Sequence, residues 1–329
     1  MADTIMSICI PTYNRVQEVT NCVKRIVSGC TSEEIEIVVS DNASMDETEK
    51  EIRKIKDPRL KYYRNDKNLG IAGNVLKMVE RANSEFIFIH WDDDFIELDA
   101  IPWILETLKK SKNLNQILGK IENGYGGIYW SCKILCGDCE DKIFKPCPES
   151  WEKLFFSYSH GGGRILRKKS IDLKYAEKFI ESALSPYMHL ILAIHPSLYG
   201  DTLCTSKTLY YKISERSKSV GHLIQGRPYW HPISTAERFS DRIRIIYDVV
   251  DNIKVQRVLL KKQREFAAYK LLKSFSDSWV YSRSLKPFFL FLTRILNIKE
   301  ISRSPEFYLD ILRKTINSIL FKSIIKTEL

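Results

Sequence analysis

The first third of the chain alternates short apolar runs with amphipathic stretches. Ser7-Ile8-Cys9-Ile10 is a compact apolar run, and Val16, Val19, Val23, Ile26 and Val27 then recur at the spacing of one helix face. Glu36-Ile37-Val38-Val39-Ser40 predicts a second strand, Leu60-Lys61-Tyr62-Tyr63 a third and Phe86-Ile87-Phe88-Ile89 a fourth. Between them, Ser44-Met45-Asp46-Glu47 reads as a capping box that opens a helix running to about Ile55. Ile71, Val75, Met78 and Val79 share one face of a helix ending at Arg81, and Asp99 is expected to cap the next helix, with Pro102 in its first turn.

This strand–helix alternation implies an α/β protein with a mostly parallel, doubly wound, Rossmann-like sheet. Ligands of such sheets bind beyond the carboxyl ends of the strands. Three polar clusters fall there: Pro11-Thr12-Tyr13-Asn14-Arg15, Asp41-Asn42 and Asp92-Asp93-Asp94. Three consecutive carboxylates after a buried strand repel one another, and burial raises the cost, unless a cation intervenes. Hard oxygen ligands suit Mg²⁺ or Mn²⁺, often shared with substrate phosphates. The plain alternative is a solvated acidic loop ahead of the next helix, but unrelated loops would not explain why three polar clusters share one edge of the sheet.

Beyond residue 110 the pattern loosens. Tyr125 to Leu135 reads as strand and Cys136 to Ser150 as polar loop. His160-Gly161-Gly162-Gly163 precedes a strand at Arg164-Ile165-Leu166-Arg167; Pro186 to Ile194 reads as helix and Leu209 to Ile213 as strand. From about Thr235 the pattern is helical, dividing the chain into a domain over 1–234 and a helical extension over 235–329. In that extension Lys286-Pro287-Phe288-Phe289-Leu290-Phe291-Leu292 is an apolar patch flanked by cations, and Ile316, Ile319, Leu320 and Ile324 recur with Lys314, Lys322 and Lys326 nearby. Basic amphipathic helices of this kind lie on anionic bilayers or pack on a neighbouring domain.

The net charge of +10 over 329 residues favours anionic partners such as nucleotides or phospholipids. Neither a signal-peptide pattern nor an apolar run long enough for a membrane span is visible, so a cytoplasmic protein with reduced thiols is expected. Cys132, Cys136, Cys139 and Cys147 cluster, yet their spacing matches no common zinc pattern.

Ile10 to Arg15, Ser40-Asp41-Asn42-Ala43-Ser44-Met45-Asp46, Asn68-Leu69-Gly70 and the acidic triplet, in that order and spacing, resemble the family 2 glycosyltransferases. The resemblance covers roughly residues 6–110. A weaker likeness, to the abequosyltransferase-like group of bacterial surface-polysaccharide enzymes, continues through Gly161-Gly162-Gly163 to about residue 230. It implies a GT-A fold, with 1–110 as the nucleotide-sugar half and 111–234 as the acceptor half. It further implies metal-dependent, inverting transfer of a sugar from a nucleotide-sugar to a hydroxyl of a lipid-linked glycan in O-antigen or capsule synthesis. The enzyme would work in the cytoplasm, with the basic tail on the inner face of the membrane. By the same resemblance Pro11, Thr12, Tyr13, Asn14 and Arg15 border the nucleotide with Asn68 and Gly70, Asp41 accepts a hydrogen bond from the base, Asp93 meets ribose or sugar, and Asp94 binds metal. Asp92 with Asp94 equally forms a D-x-D pair, and the sequence does not decide between the two assignments.

Two positions depart from the family. Gly73 stands before Asn74 where Arg is common, so Arg64 or Lys67 would have to supply the missing contact. The acidic pair that usually provides the catalytic base is missing; His189 occupies the matching helix, with Glu181 and Asp172 as further candidates. Arg216 could hold the leaving diphosphate and His222 complete a metal shell, although a solvated basic loop accounts for both as well. Two other classes compete. A nucleotidyltransferase acting on sugar phosphates would carry a glycine-rich first loop, which Pro11-Thr12-Tyr13-Asn14 is not. A nucleic-acid-binding protein would gather cations and aromatics where this chain places carboxylates.

Overall fold

The structure, a computed structural model, describes residues 4–123, 128–130, 141–147, 161–182 and 187–213, together with shorter pieces between 223 and 308. The chain divides into two compact units: Met1–Ile180 with Ser185–Ser219, and Glu181–Leu184 with Val220–Leu329.

The first unit opens with β1 (Met6–Thr12), α1 (Val16–Gly29), β2 (Ile35–Asp41), α2 (Thr48–Lys54), β3 (Leu60–Arg64), α3 (Gly70–Arg81) and β4 (Phe86–Ile89). It continues with β5 (Phe95–Ile96), α4 (Ile101–Lys110), β6 (Leu114–Asn123), β7 (Ile128–Trp130), β8 (Lys142–Phe144) and β9 (Arg164–Arg167). Three short helices, α5 (Leu173–Glu177), α6 (Met188–Leu192) and α7 (Ile194–Tyr199), lead into β10 (Asp201–Lys212). One ten-stranded sheet runs β3-β2-β1-β4-β9-β6-β10-β5, with β7 on β6 and β8 on β10. Strands β3, β2, β1 and β4 are mutually parallel; β9 is antiparallel to both β4 and β6, and β6 and β10 are parallel.

Every residue of β1, β2 and β4 is buried, which explains why these strands read as continuous apolar runs rather than alternating ones. On one face, α1 sets Val19, Val23 and Ile26 into a core shared with Ile8, Ile10, Phe86, Phe88, Ile104 and Ile117. α3 buries Ala72, Val75, Met78 and Val79 and packs on β1 and β2.

Three expected details differ. Ser44 does not cap α2: its hydroxyl donates to Asp41, and the helix starts at Thr48, whose N–H and hydroxyl both donate to Asp46. Asp99 does not cap α4 either; its N–H donates to Glu97 in a 3-10 turn over Leu98–Ala100 that runs into the helix at Ile101. The irregular middle of the chain holds more strand than its pattern suggests, since β6, β8 and the first half of β10 mix polar residues into their runs. Sheet pairing overrides local propensity there.

In the second unit, β11 (Leu223–Ile224) pairs with β12 (Arg227–Pro228), and α8 (Pro232–Val249) is the longest described helix. Ile243, Ala267, Ala268, Ile295, Ile301 and Phe307 form a separate small core. Among the described residues no helix is long and apolar enough to cross a membrane. Most of the basic tail, together with Arg216, His222, Cys132, Cys136 and Cys139, lies outside the described residues.

Candidate active site

Parallel pairing places the ends of β1, β2 and β4 side by side, with Thr12 level with Asp41 and Cys9 level with Ile89. β4 stops three residues short of the end of β1, so the chain beyond it rises past Thr12. The Thr12 hydroxyl donates to Asp92 Oδ2 at 2.8 Å. Arg15, one turn-length further along the first loop, reaches Asp92 Oδ1 at 3.1 Å and Asp93 Oδ2 at 2.9 Å. The polar clusters expected to meet therefore do meet, through residues some eighty positions apart in the chain.

Asp92 is buried, and burial pushes its carboxyl up to about 7 against the pull of Arg15 and the Thr12 hydroxyl, with Asp93 adding repulsion. Burial also works against the Arg15 charge, but Asp92 and Asp93 outweigh it and raise its pKa. Asp94 faces a different way. Its Oδ2 accepts from the Tyr210 hydroxyl at 3.1 Å and its Oδ1 from the Ile213 N–H at 2.9 Å. Among the described residues, no group of three His, Cys, Asp or Glu side chains is arranged to hold a metal.

The loops after β1, β2 and β3 form a network of contacts. Asp41 is fully buried; Oδ1 accepts from Ser44 N–H and hydroxyl, and Oδ2 from the Tyr62 hydroxyl at 2.5 Å, with Arg64 Nε 3.8 Å away. The role read for Asp41, accepting from a base, therefore meets a carboxylate already serving three donors that shape the 41–46 loop. Asn14, at φ 52°, and Ala43, at φ 63°, take the left-handed conformation that this loop geometry requires. The Asn14 N–H donates to Ser44 Oγ and its side-chain oxygen accepts from Met45 N–H, tying the first loop to the second. Asn42 bridges to Asn65, Asn68, Leu69 N–H and the Gly70 carbonyl. Gly70 is at φ +69° with open space where a Cβ would be, so backbone conformation rather than close approach selects glycine there. Pro11 is buried within β1 and Tyr13 is partly exposed at the rim.

Asn74, which follows the departing Gly73, is buried: its amide oxygen accepts from Ser40 and Asn65, and its amide donates to the Ser40 carbonyl. Arg64 donates to the Ser44 carbonyl and lies beside Asp41, so it braces the loop; Lys67 is exposed.

Ahead of β9, the glycine run packs under two aromatic rings. A Cβ on Gly161 would lie 2.5 Å from the Trp91 ring, and one on Gly162 would lie 2.1 Å from Tyr210 Oη. Gly162→Ala is expected to destabilise the protein by about 1–3 kcal/mol through overpacking, measured as a lower urea midpoint. An unchanged midpoint would mean that Tyr210 moves aside freely.

The base candidates separate. Asp172 caps α5, accepting the Tyr175 N–H at 2.8 Å. It follows the end of β9, which runs antiparallel to β4, so it sits toward the opposite edge of the sheet from the triplet. Glu181 belongs to the second unit. His189 is buried in α6 with its ring 6.1 Å from that of Tyr187, and makes no hydrogen bond to Thr12, Arg15, Asp92 or Asp93. Sequence reasoning passed over Ser44, Tyr62, Asn65 and Tyr210 as site residues. Tyr62 lies on β3, the strand beside Asp41's own, two positions before the Arg64 that pairs with Asp41, whereas Tyr210 meets Asp94 across 116 residues of chain with no local signal.

The family model described as glycosyl transferase family 2 matches residues 7–172, and the chain belongs to that family. The sheet is a GT-A fold: a structure of S. aureus TarS residues 1–349 in complex with UDP-GlcNAc superposes with a TM-score of 0.65 at 16% identity, covering 91% of this chain and 82% of that one. Among curated proteins, abequosyltransferase RfbV of Salmonella typhimurium is 37% identical over 114 residues, 33% of each chain. The GalNAc(5)-diNAcBac-PP-undecaprenol beta-1,3-glucosyltransferase of Campylobacter jejuni is 28% identical over 132 residues, 39% of this chain and 38% of that one. The chain thus matches about a third of the length of these relatives.

Proposed function

We propose that the protein transfers a sugar from a nucleotide-sugar to a hydroxyl of a lipid-linked glycan in bacterial surface-polysaccharide synthesis, with inversion at the sugar carbon. The observation that carries this reading is the meeting of Thr12, Arg15, Asp92 and Asp93 at the carboxyl edge of the parallel strands in a family 2 chain. The likeness over about a third of the two curated sugar transferases supports the substrate class.

The 41–46 loop, shaped by Asp41, Ser44 and Tyr62, borders the nucleoside, and Tyr13 lies at its rim. Arg15 faces the donor diphosphate and partners Asp93, which is left to meet ribose or sugar. Asp92 and Asp94 are hard oxygen donors at one edge, and the burial that raises the Asp92 carboxyl favours a cation beside it. Mg²⁺ is typically held by one or two carboxylates plus substrate phosphates rather than by an all-protein cage, so this donor set fits Mg²⁺ or Mn²⁺. When bound, the metal supplies charge stabilisation to the leaving diphosphate.

In the transfer step the acceptor oxygen bonds to the sugar carbon as the bond to the diphosphate oxygen breaks, and the electron pair leaves with the diphosphate. The hydroxyl proton passes to His189 as general base. His189→Ala is expected to lower turnover by about 10²–10⁴-fold while donor binding is retained. Unchanged turnover in the folded variant would dismiss the base. The class itself is tested by thermal shift and donor hydrolysis across UDP-, GDP-, CDP- and dTDP-sugars with Mn²⁺. Stabilisation by an oligonucleotide alone would overturn it.

The protein is expected to act at the cytoplasmic face of the membrane, with residues 1–234 as the transferase domain and the basic helices of 235–329 against anionic lipid. Co-sedimentation with phosphatidylglycerol vesicles tests that placement.

A further inference from the structure

The loops at the carboxyl edge of the sheet follow one order. β2 ends at Asp41, β1 lies beside it and ends at Thr12, β4 follows β1, and β9 follows β4. Because β9 runs antiparallel to β4, its first residue, Arg164, pairs with Ile89, the last of β4. The Gly163 N–H donates to the Ile89 carbonyl at 3.0 Å. The glycine run ahead of β9 therefore reaches the same edge as the acidic triplet, on the side away from β1.

Trp91 stands at that seam. Its N–H donates to the Tyr210 hydroxyl at 3.0 Å, and its carbonyl accepts the Asp94 N–H at 3.3 Å in a turn through the triplet. The indole lies against Gly161, where a Cβ would come 2.5 Å from Cζ2 and 2.8 Å from Nε1. A side chain at 161 would push the ring out of this position. Trp91 is only partly buried, although its neighbours His90 and Asp92 are buried. The indole Nε1–H donates to no group among the described residues. A ring that offers an apolar face and an unused donor suits a ligand that presents C–H groups and hydroxyls together, which is the surface of a pyranose.

We propose that Trp91 is the platform for the sugar ring of the donor. This rests on the donor path of the proposed function, with the nucleoside at the 41–46 loop and the diphosphate at Arg15. Continued in the same direction along the edge, from β2 past β1 to β4, that path passes Asp92 and Asp93 and ends on Trp91. The C–H face of the sugar lies on the indole, and Nε1–H donates to one of its hydroxyls. The nucleotide is held by other residues, so Trp91 sets the affinity for the nucleotide-sugar and not that for the free nucleoside diphosphate. A packing role alone would weaken both ligands together.

Isothermal titration calorimetry compares UDP with UDP-glucose, GDP with GDP-mannose, CDP with CDP-glucose and dTDP with dTDP-glucose, for wild type, Trp91→Ala and Trp91→Phe. For the nucleotide that wild type binds, Trp91→Ala is expected to weaken the nucleotide-sugar about tenfold, the effect of exposing roughly two C–H groups, and to leave the free diphosphate within about twofold. Trp91→Phe keeps a ring and is expected to recover most of the loss. Wild type labelled with 5-fluorotryptophan gives a readout that does not depend on the folding of the alanine variant. The fluorine resonance missing from Trp91→Phe is expected to shift with the nucleotide-sugar and to stay in place with the nucleotide alone. Equal weakening of both ligands in Trp91→Ala would overturn the proposal. A nucleotide that binds while none of the attached hexoses moves the Trp91 resonance would also overturn it, and would leave the donor reading standing. Wild type that binds none of these ligands overturns the donor reading, and this proposal with it.

Discussion

Asp94→Ala is expected to abolish most sugar transfer, by about 10²–10³-fold, if the proposed metal–diphosphate role of this carboxylate holds. The variant also strips two buried donors of their acceptor, the Tyr210 hydroxyl and the Ile213 N–H. Each such loss costs about 1–3 kcal/mol when water cannot reach the group, so activity must be reported per folded molecule. Asp94→Asn provides the control. It retains an oxygen for one of the two donors and removes the charge, so it is expected to fold nearly as well and to transfer nearly as poorly. Transfer assays with saturating Mn²⁺ on both variants, beside circular dichroism, separate the two losses. Full transfer by folded Asp94→Ala would sink the metal–diphosphate assignment.

Asp92→Asn is expected to make the metal-free protein more stable at pH 8 and less able to bind its donor. In the unfolded chain Asp92 titrates near its ordinary value of 3.8, and in the folded chain burial raises it to about 7. Between those values the folded state holds a proton that the unfolded state has lost, so stability falls as pH rises through the window and is level above it. Asparagine cannot ionise, and its oxygen can still accept from Thr12. The gain at pH 8 should be about 2–4 kcal/mol, seen as a higher denaturation midpoint and as a flatter dependence between pH 4 and 7. Added Mn²⁺ with nucleotide should stabilise wild type and leave the variant unmoved. A variant less stable than wild type at pH 8 would show that Arg15 already offsets the burial of Asp92 in full. Stability given up at a site that a ligand later completes is the expected signature of a binding edge.

These two carboxylates mark how far sequence reasoning reached. The strands β1, β2 and β4 and the helices α1 and α3 were legible because each buries a continuous run or one helical face, and burial writes its period into local sequence. The ends of β1, β2 and β4 could then be placed on one edge, and Thr12, Arg15, Asp92 and Asp93 do meet there. Reading failed where a polar side chain had two local options. Ser44 and Asp99 look like helix caps, but Ser44 is claimed by Asp41 and Asp99 is preceded by Glu97. It failed again in β6, β8 and the first half of β10, whose strand character comes from pairing with distant chain and not from their own residues.

The sequence by itself determined the α/β alternation, the edge at which polar loops gather, and the presence of three carboxylates there. Those are consequences of hydrophobic period and strand direction, which are local. Only the tertiary structure decided that the carboxylates are not equivalent. Asp92 and Asp93 face Arg15, while Asp94 turns inward to Tyr210 and Ile213. It decided this because the partner of each carboxylate is set by which strands stack beside β4, and that stacking joins residues that no local pattern connects.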